Sequence, residues 1–274
     1  MKKFNIAILQ TKVYDDKDKN IHEAVQLIKK SSVKGADIVI LPEMFCCPYN
    51  TSKFREYGEA EGGMIHRALS NAAAANGIYL VGGTVPELDG NSVYNTSYVF
   101  DRNGVQIAKH RKMHLFDINV EGGQYFKESD VLSPGNKVTV FDTEFCKIGL
   151  AVCYDIRFPE LSRLMALEGA EVIIIPGAFN MTTGPAHWET LFKARALDNQ
   201  VYAIGVAPAR DYESSYISYG NSIVVSPWGN VLAKMDENAG CLIQEINLES
   251  VSRARNELPL LKHLRNDLYT LKMK

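Results

Sequence analysis

Three polar residues stand directly after apolar runs that read as buried strands. Glu43 follows Ile38-Val39-Ile40-Leu41-Pro42, and Cys153 follows Ile148-Gly149-Leu150-Ala151-Val152. Lys112 follows residues 105–110 within His110-Arg111-Lys112-Met113-His114. Strand ends are where α/β folds place ligand-facing groups. A thiol attacks a carbonyl as the thiolate, so it needs a carboxylate to take its proton, and a nearby ammonium makes that easier. The tetrahedral intermediate then needs donors, and Lys112 and the backbone N–H of Tyr154 are candidates. Together the three carry the parts of an amide hydrolase. Taken singly, each has a plainer reading: a solvated strand end, a surface charge, a buried core thiol. Spacing alone does not bring them together.

The elements that must position them follow from periodicity. Residues 4–10 read as a strand, and Asn20 with Glu23 reads as a capping box opening a helix that Gly35 stops. Residues 37–41 form a short buried strand. Residues 64–76 form a helix with Gly77 as its C-cap, and 79–83 another buried strand. Residues 93–100 and 105–110 flank Asp101-Arg102-Asn103-Gly104, a hairpin turn. The second half repeats the grammar: strand 146–152, helix 159–168 opened by Pro159, then Gly169-Ala170-Glu171-Val172-Ile173-Ile174-Ile175-Pro176 echoing Gly35-Ala36-Asp37-Ile38-Val39-Ile40-Leu41-Pro42. Helix 186–199, strand 201–206 and a hairpin of 221–225 with 231–234 complete it. Two sheets packed face to face, with helices outside each, give a four-layer αββα sandwich of pseudo-two-fold halves. No Pro/Gly/Ser-rich linker divides the chain, so one domain spans residues 1–274. Residues 115–135, which include Gly122-Gly123, lack periodicity, and so long an irregular stretch is more often functional than idle.

Composition narrows the classes. The chain has 274 residues, 46% hydrophobic and 23% charged, with 30 Lys and Arg against 32 Asp and Glu. A net charge of −2 without a basic block argues against a nucleic-acid surface or a polybasic membrane patch. No apolar run is long enough to cross a membrane, and the first is broken at Asn5, reading as a strand rather than a signal peptide. A cytoplasmic protein is expected. Five cysteines with no C-x-x-C pair support neither a disulfide framework nor a zinc ribbon. His110 and His114 lack the partners of a metal site, and none is expected. His187 beside Trp188 reads as packing at a helix start rather than as a catalytic His. Cys46 and Cys47 read as packing residues, and Trp228 as a hairpin residue for packing or an interface. Leucines and Tyr269 in the last residues, 258–274, suggest docking on a partner subunit.

Leu41-Pro42-Glu43, the His110–Lys112–His114 segment and Gly149-Leu150-Ala151-Val152-Cys153-Tyr154-Asp155-Ile156-Arg157-Phe158-Pro159-Glu160 resemble, in order, the three signatures of the nitrilase superfamily of carbon–nitrogen hydrolases. The resemblance covers about residues 4–248. It implies the αββα sandwich, no cofactor, Glu43 as general base, Lys112 as stabiliser and proton donor, and Cys153 as nucleophile. Glu128, ahead of Ser133-Pro134-Gly135, matches a second glutamate that positions Lys112 and substrate. It also implies a homodimer, with residues 249–274 as an extension docking on the partner. His114-Leu115-Phe116-Asp117-Ile118 and Pro176-Gly177-Ala178-Phe179-Asn180-Met181-Thr182-Thr183-Gly184-Pro185 resemble the omega-amidase branch more narrowly. Asn221 departs from the His that relatives carry in that hairpin. The branch implies a small-molecule amide as partner: the ω-amide of a short 2-oxo diacid, 2-oxoglutaramate or 2-oxosuccinamate. Deaminated glutathione, a carbamoyl amine or a nitrile are alternatives within the superfamily. Such a substrate carries a carboxylate, and Arg157 is the expected cation, unless it merely pairs with Asp155 or Glu160. Thr183 is expected to add a hydroxyl donor, with Tyr49, Phe116, Tyr154 and Phe179 around the substrate.

Overall fold

The computed structural model describes residues 3–122 and 124–274, so the expectation at Gly123 lies outside the described residues. Elements run β1 (Lys3–Gln10), α1 (Lys17–Val33), β2 (Ile38–Ile40), α2 (Thr51–Tyr57), α3 (Met64–Asn76), β3 (Tyr79–Val81), β4 (Val85–Asp89), β5 (Ser92–Phe100) and β6 (Gln106–Arg111). They continue with a small hairpin, β7 (Asp117–Asn119) and β8 (Tyr125–Lys127), then β9 (Thr139–Asp142), β10 (Lys147–Leu150), α4 (Pro159–Leu167) and β11 (Val172–Pro176). The last are α5 (Gly184–Asn199), β12 (Tyr202–Val206), β13 (Ile223–Val225), β14 (Val231–Lys234), β15 (Gly240–Asn247) and α6 (Glu249–Glu257).

One sheet runs β15-β1-β2-β3-β5, with β4 and β6 both pairing β5; the other runs β14-β13-β12-β11-β10-β9. At the centre of each lies a parallel triple, β1-β2-β3 in the first and β10-β11-β12 in the second. The two echoing Gly-Ala-acid-apolar segments supply the middle strands, β2 and β11. Alternation along these strands builds the layers. Ile6, Ile8, Ile38 and Ile40 meet Ile148, Leu150, Val172 and Ile174 between the sheets. The intervening residues face outward: Ala7, Leu9 and Val39 onto Ile21, Ala24 and Ile28 of α1 and Leu69 of α3. Ile173, Ile175 and Ala203 likewise face Leu161 and Met165 of α4 and Trp188 and Phe192 of α5. This is the αββα sandwich.

Several boundaries differ from the sequence reading. Helix α1 begins a turn earlier, because Asp16 caps it by accepting from Lys19 N, while Asn20 bonds in both directions to the backbone of Tyr14. Helix α5 starts at Gly184-Pro185, proline being compatible with the first turn. Beyond residue 248, α6 packs on its own chain, burying Val251 and Ala254, with Gln200 donating to the Ala254 carbonyl. Farther on, Leu268 and Tyr269 are exposed. No helix among the described residues is long and apolar enough to cross a membrane.

Candidate active site

Glu43 leaves β2 into a loop held by close backbone contact. Gly83 lies at φ +56°, and a Cβ there would stand 2.1 Å from the Pro42 carbonyl oxygen, so only glycine fits. The Glu43 carboxylate is wholly buried. Its Oε1 accepts from Asn95 Nδ2 (2.8 Å) and Lys112 Nζ (3.1 Å) and lies 3.1 Å from the Tyr49 hydroxyl oxygen, whose one proton goes to Glu128. Its Oε2 accepts from Ala178 N (2.6 Å), just past β11, which ties the first half of the chain to the second.

Lys112 follows β6 and is clamped on both sides. Its N–H donates to the Asn95 carbonyl and its own carbonyl accepts from Gly135 N, each at 2.8 Å. A Cβ on Gly135 would stand 2.1 Å from the Arg111 carbonyl oxygen, which is why the irregular segment ends in Pro134-Gly135. Lys112 Nζ, also wholly buried, donates to Glu128 Oε1 at 2.9 Å and to the Tyr49 hydroxyl at 3.3 Å. Tyr49 donates in turn to Glu128 Oε1, and Glu128 Oε2 accepts from Phe116 N at 2.7 Å. The stretch from 115 to 135 is therefore not idle. Its β7–β8 hairpin and the short 3-10 turn Glu128–Asp130 deliver Glu128 to the Lys112 ammonium.

Cys153 opens a 3-10 turn, Cys153–Arg157, at φ +48°, a left-handed conformation that non-glycine residues adopt at a cost of about 1–3 kcal/mol. Asp155 holds this turn against the Lys112 segment. Its buried carboxylate accepts from Val152 N (3.0 Å), His114 N (2.9 Å), His114 Nδ1 (2.8 Å) and His110 Nε2 (3.2 Å). Burial opposes its charge, but the two histidines outweigh it and hold the carboxyl far below the usual range. His110 and His114, which flank Lys112, therefore serve hydrogen bonding; among the described residues no cluster of three potential ligands could hold a metal. Asp155→Asn turns an NH2 toward donors on one side. Its unfolding free energy should fall by about 2–3 kcal/mol, the scale of charge-assisted bonds to a buried group, and its denaturation midpoint with it. An unshifted midpoint would show that the network holds nothing.

Electrostatics set the resting protonation. Burial works against the Lys112 charge, yet Glu128 and Glu43 overcome it and raise its pKa, so the ammonium is permanent. Burial first, then the Glu43 charge, push the Cys153 thiol well up, with Lys112 opposing. Both causes favour the protonated thiol, so attack by this thiol would need a base beside it.

A second cluster adjoins. Arg157 lies with its guanidinium 4.8 Å from the Phe179 ring centre and 5.5 Å from that of Tyr154. Phe116 meets Tyr154 edge to face at 5.2 Å, and Phe179 meets Trp188 at 5.0 Å. Asp155 is committed to the histidines, and Arg157 bonds instead to His187 Nδ1 at 3.1 Å. Among the described residues no carboxylate pairs with Arg157, and its buried Nε has no acceptor. Thr183 differs from expectation: its hydroxyl and N–H both donate to Asn180 Oδ1, so it meets a substrate as a donor only by exchanging that bond. Asn221 lies at φ +61°, which asparagine tolerates, and its carbonyl accepts from Trp188 Nε1 away from the three central groups.

Sequence reasoning missed Asn95, the Ala178 N–H, the Asp155 network, His187 as a partner of Arg157, and Tyr216. Tyr216 packs on Tyr49 with the rings tilted and their centres 4.6 Å apart, and donates to the Ala178 carbonyl. Only Asp155 had a signal, because it lies within the motif of Cys153.

Comparison with known proteins gives the family. The carbon–nitrogen hydrolase family profile matches residues 5–256. The chain is 47% identical over 274 residues to omega-amidase NIT2 of Xenopus tropicalis, covering all of this chain and 99% of the relative. It is 44% identical to omega-amidase NIT2 of Homo sapiens over the same coverage. The crystal structure of Saccharomyces cerevisiae Nit3, a member of branch 10 of the nitrilase superfamily, superposes with a TM-score of 0.89 at 41% identity, covering 96% of this chain and 97% of that one. The chain belongs to the carbon–nitrogen hydrolase family, within the nitrilase superfamily, and is a hydrolase of carbon–nitrogen bonds.

Proposed function

We propose that this enzyme is an omega-amidase, which hydrolyses the terminal amide of a short 2-oxo dicarboxylic acid monoamide through a thioester on Cys153. Glu43 takes the thiol proton as sulfur bonds to the amide carbon. Lys112 Nζ and the N–H of Tyr154 receive the oxyanion; the latter, as the second residue of its turn, has no intrahelical acceptor. The proton then goes to the leaving nitrogen, ammonia departs, and water cleaves the thioester to the 2-oxo diacid.

The observation that carries the substrate assignment is Arg157, half-buried at the end of the turn that Cys153 opens, with an unpartnered Nε and, among the described residues, no carboxylate paired with it. Two parallel bonds from one guanidinium suit a carboxylate, and Lys cannot reproduce them. Phe116, Tyr154 and Phe179 wall the chain between. Ammonia release measured across ω-amides with and without the 2-oxo group tests the reading, and 2-oxoglutaramate and 2-oxosuccinamate should lead. Arg157→Lys should raise KM for them by roughly tenfold or more, the loss of one charge-assisted bond, and leave a neutral amide little changed. Equal losses on both would give Arg157 a structural role. Preference for deaminated glutathione, or release of carbon dioxide with the ammonia, would move the enzyme to another branch.

We also propose a homodimer, supported by exposed Trp228, Leu258, Leu268 and Tyr269, which a second copy would cover. Light scattering at the mass of one chain, 30.5 kDa, would overturn it.

A further inference from the structure

Among the described residues the Arg157 guanidinium has one hydrogen-bond partner, His187 Nδ1, which accepts from Nη1 at 3.1 Å. Its other contacts are the rings of Phe179 and Tyr154. Contacts of that kind attract over a broad range of orientations, whereas a hydrogen bond is directional. Arginine offers no acceptor, so Nδ1 receives the bond and the imidazole carries its proton on Nε2. A bond through Nη1 leaves Nε and Nη2, whose N–H groups run parallel along the other edge of the fork. The Nε on that edge is buried and has no acceptor. Elsewhere in this chain the same edge holds a carboxylate: Arg111 donates to Glu87 from Nε at 2.8 Å and from Nη2 at 2.7 Å. Helix α5 also fixes the other end of the residue. Arg195, buried farther along that helix, donates from Nε to the Ile156 carbonyl at 2.8 Å and from Nη2 to the Arg157 carbonyl at 3.4 Å. The backbone of Arg157 is thereby set, and the aim of its side chain falls to His187, near the start of α5.

We propose that His187 is a positioning residue for substrate choice: by holding Nη1 of Arg157 it presents the Nε–Nη2 edge to the carboxylate of the ω-amide, and so sets the preference for a charged over an uncharged substrate. The proposal rests on the reading of Arg157 as the cation for that carboxylate. His187 touches no reacting atom in this scheme. Its loss weakens binding of the carboxylate and leaves the chemistry at Cys153 alone.

His187 is exposed and Ala favours helix, so His187→Ala should fold, and a melting curve checks it. With 2-oxoglutaramate this variant should raise KM about fivefold, the scale of one hydrogen bond, and keep kcat within about twofold. For the methyl ester of 2-oxoglutaramate, which keeps the length and loses the charge, KM (or the inhibition constant where turnover is slow) should not move. His187→Asn, whose side-chain oxygen sits on the same carbon that bears Nδ1, should recover most of the lost KM. In an Arg157→Ala background, removing the imidazole should change KM no further, because its effect passes through the guanidinium. Packing at the helix start alone would instead lower the melt or treat acid and ester alike. An unchanged KM in His187→Ala, equal losses on acid and ester, no rescue by Asn, or a KM effect that survives without Arg157 overturns the positioning role. Arg157→Ala alone keeps the two readings apart. If it weakens acid and ester equally, the carboxylate reading falls and the positioning role with it. If it weakens the acid selectively while His187→Ala is silent, only the positioning role falls.

Discussion

Cys153→Ala lowers ammonia release by at least about 10⁴-fold, the scale seen when a nucleophile is removed from a site whose groups act as one unit, and leaves the fold intact. The substitution removes one sulfur and keeps the Cβ, so the left-handed backbone at φ +48° is no more strained than before. No other thiol can substitute. Cys46 and Cys47 are wholly buried past Glu43, and burial pushes Cys46 up to about 12 and Cys47 higher still. Cys146, also pushed up to about 12 by burial, belongs to the inter-sheet core. Cys241 is partly exposed and hydrogen-bonds Ser31 on α1. An ammonia assay beside a melting curve checks both halves, and normal activity with a normal melt ends the covalent reading. Motif context alone suggests that iodoacetamide labels Cys153 fastest, but the structure alters that expectation. Burial favours the protonated thiol, which is 4% exposed, and Cys241 is more accessible. The informative signal is protection of Cys153 by substrate.

Glu43 and Cys153 stand out because each follows an apolar run and sits in a short, distinctive string of residues, whereas Lys112, after the mixed strand β6, stands out by its string alone. The middle strands β2 and β11 were legible for the same reason, since residues buried on both faces read as unbroken Val and Ile. What stayed hidden lacked such a contrast. Asn95 is one polar residue inside β5, and only the fold reveals that its side chain reaches Glu43 while its carbonyl holds Lys112. Strand β4 contains Pro86, which argues against a central strand, and it does pair at the end of its sheet. Strand β15 alternates weakly and is only partly buried, because it pairs along β1 at the other end. Hairpin β7–β8 has three residues a side, too few for a period. The pairing of Asp155 with His110 and His114 is a tertiary contact across more than forty residues. Local sequence shows a strong motif there but not its partner.

Glu43→Gln and Lys112→Ala should each lower kcat by roughly 10²-fold or more, as expected for removal of a general base or of an oxyanion donor. Their effects on stability should differ. Two buried carboxyls share one ammonium, and burial, then the nearness of Glu43, raise Glu128 above the ordinary carboxyl range against the pull of Lys112. Glu43→Gln relieves that crowding and leaves Lys112 paired with Glu128, so it should cost less stability than Lys112→Ala. Lys112→Ala leaves Glu43 and Glu128 facing each other without a cation, at a cost of about 3–5 kcal/mol for breaking a buried pair. The two carboxyls then share a proton, which also disables the base. Lys112→Ala therefore removes the oxyanion donor and the ionised Glu43 at once, and adding Glu43→Gln to it should cost far less than the product of the single losses. Steady-state rates and denaturation midpoints for the two singles and the double check this. Near-normal kcat in either single variant would displace that residue from its role. Fully multiplicative losses would show that Glu43 and Lys112 act independently, against the 3.1 Å contact between them.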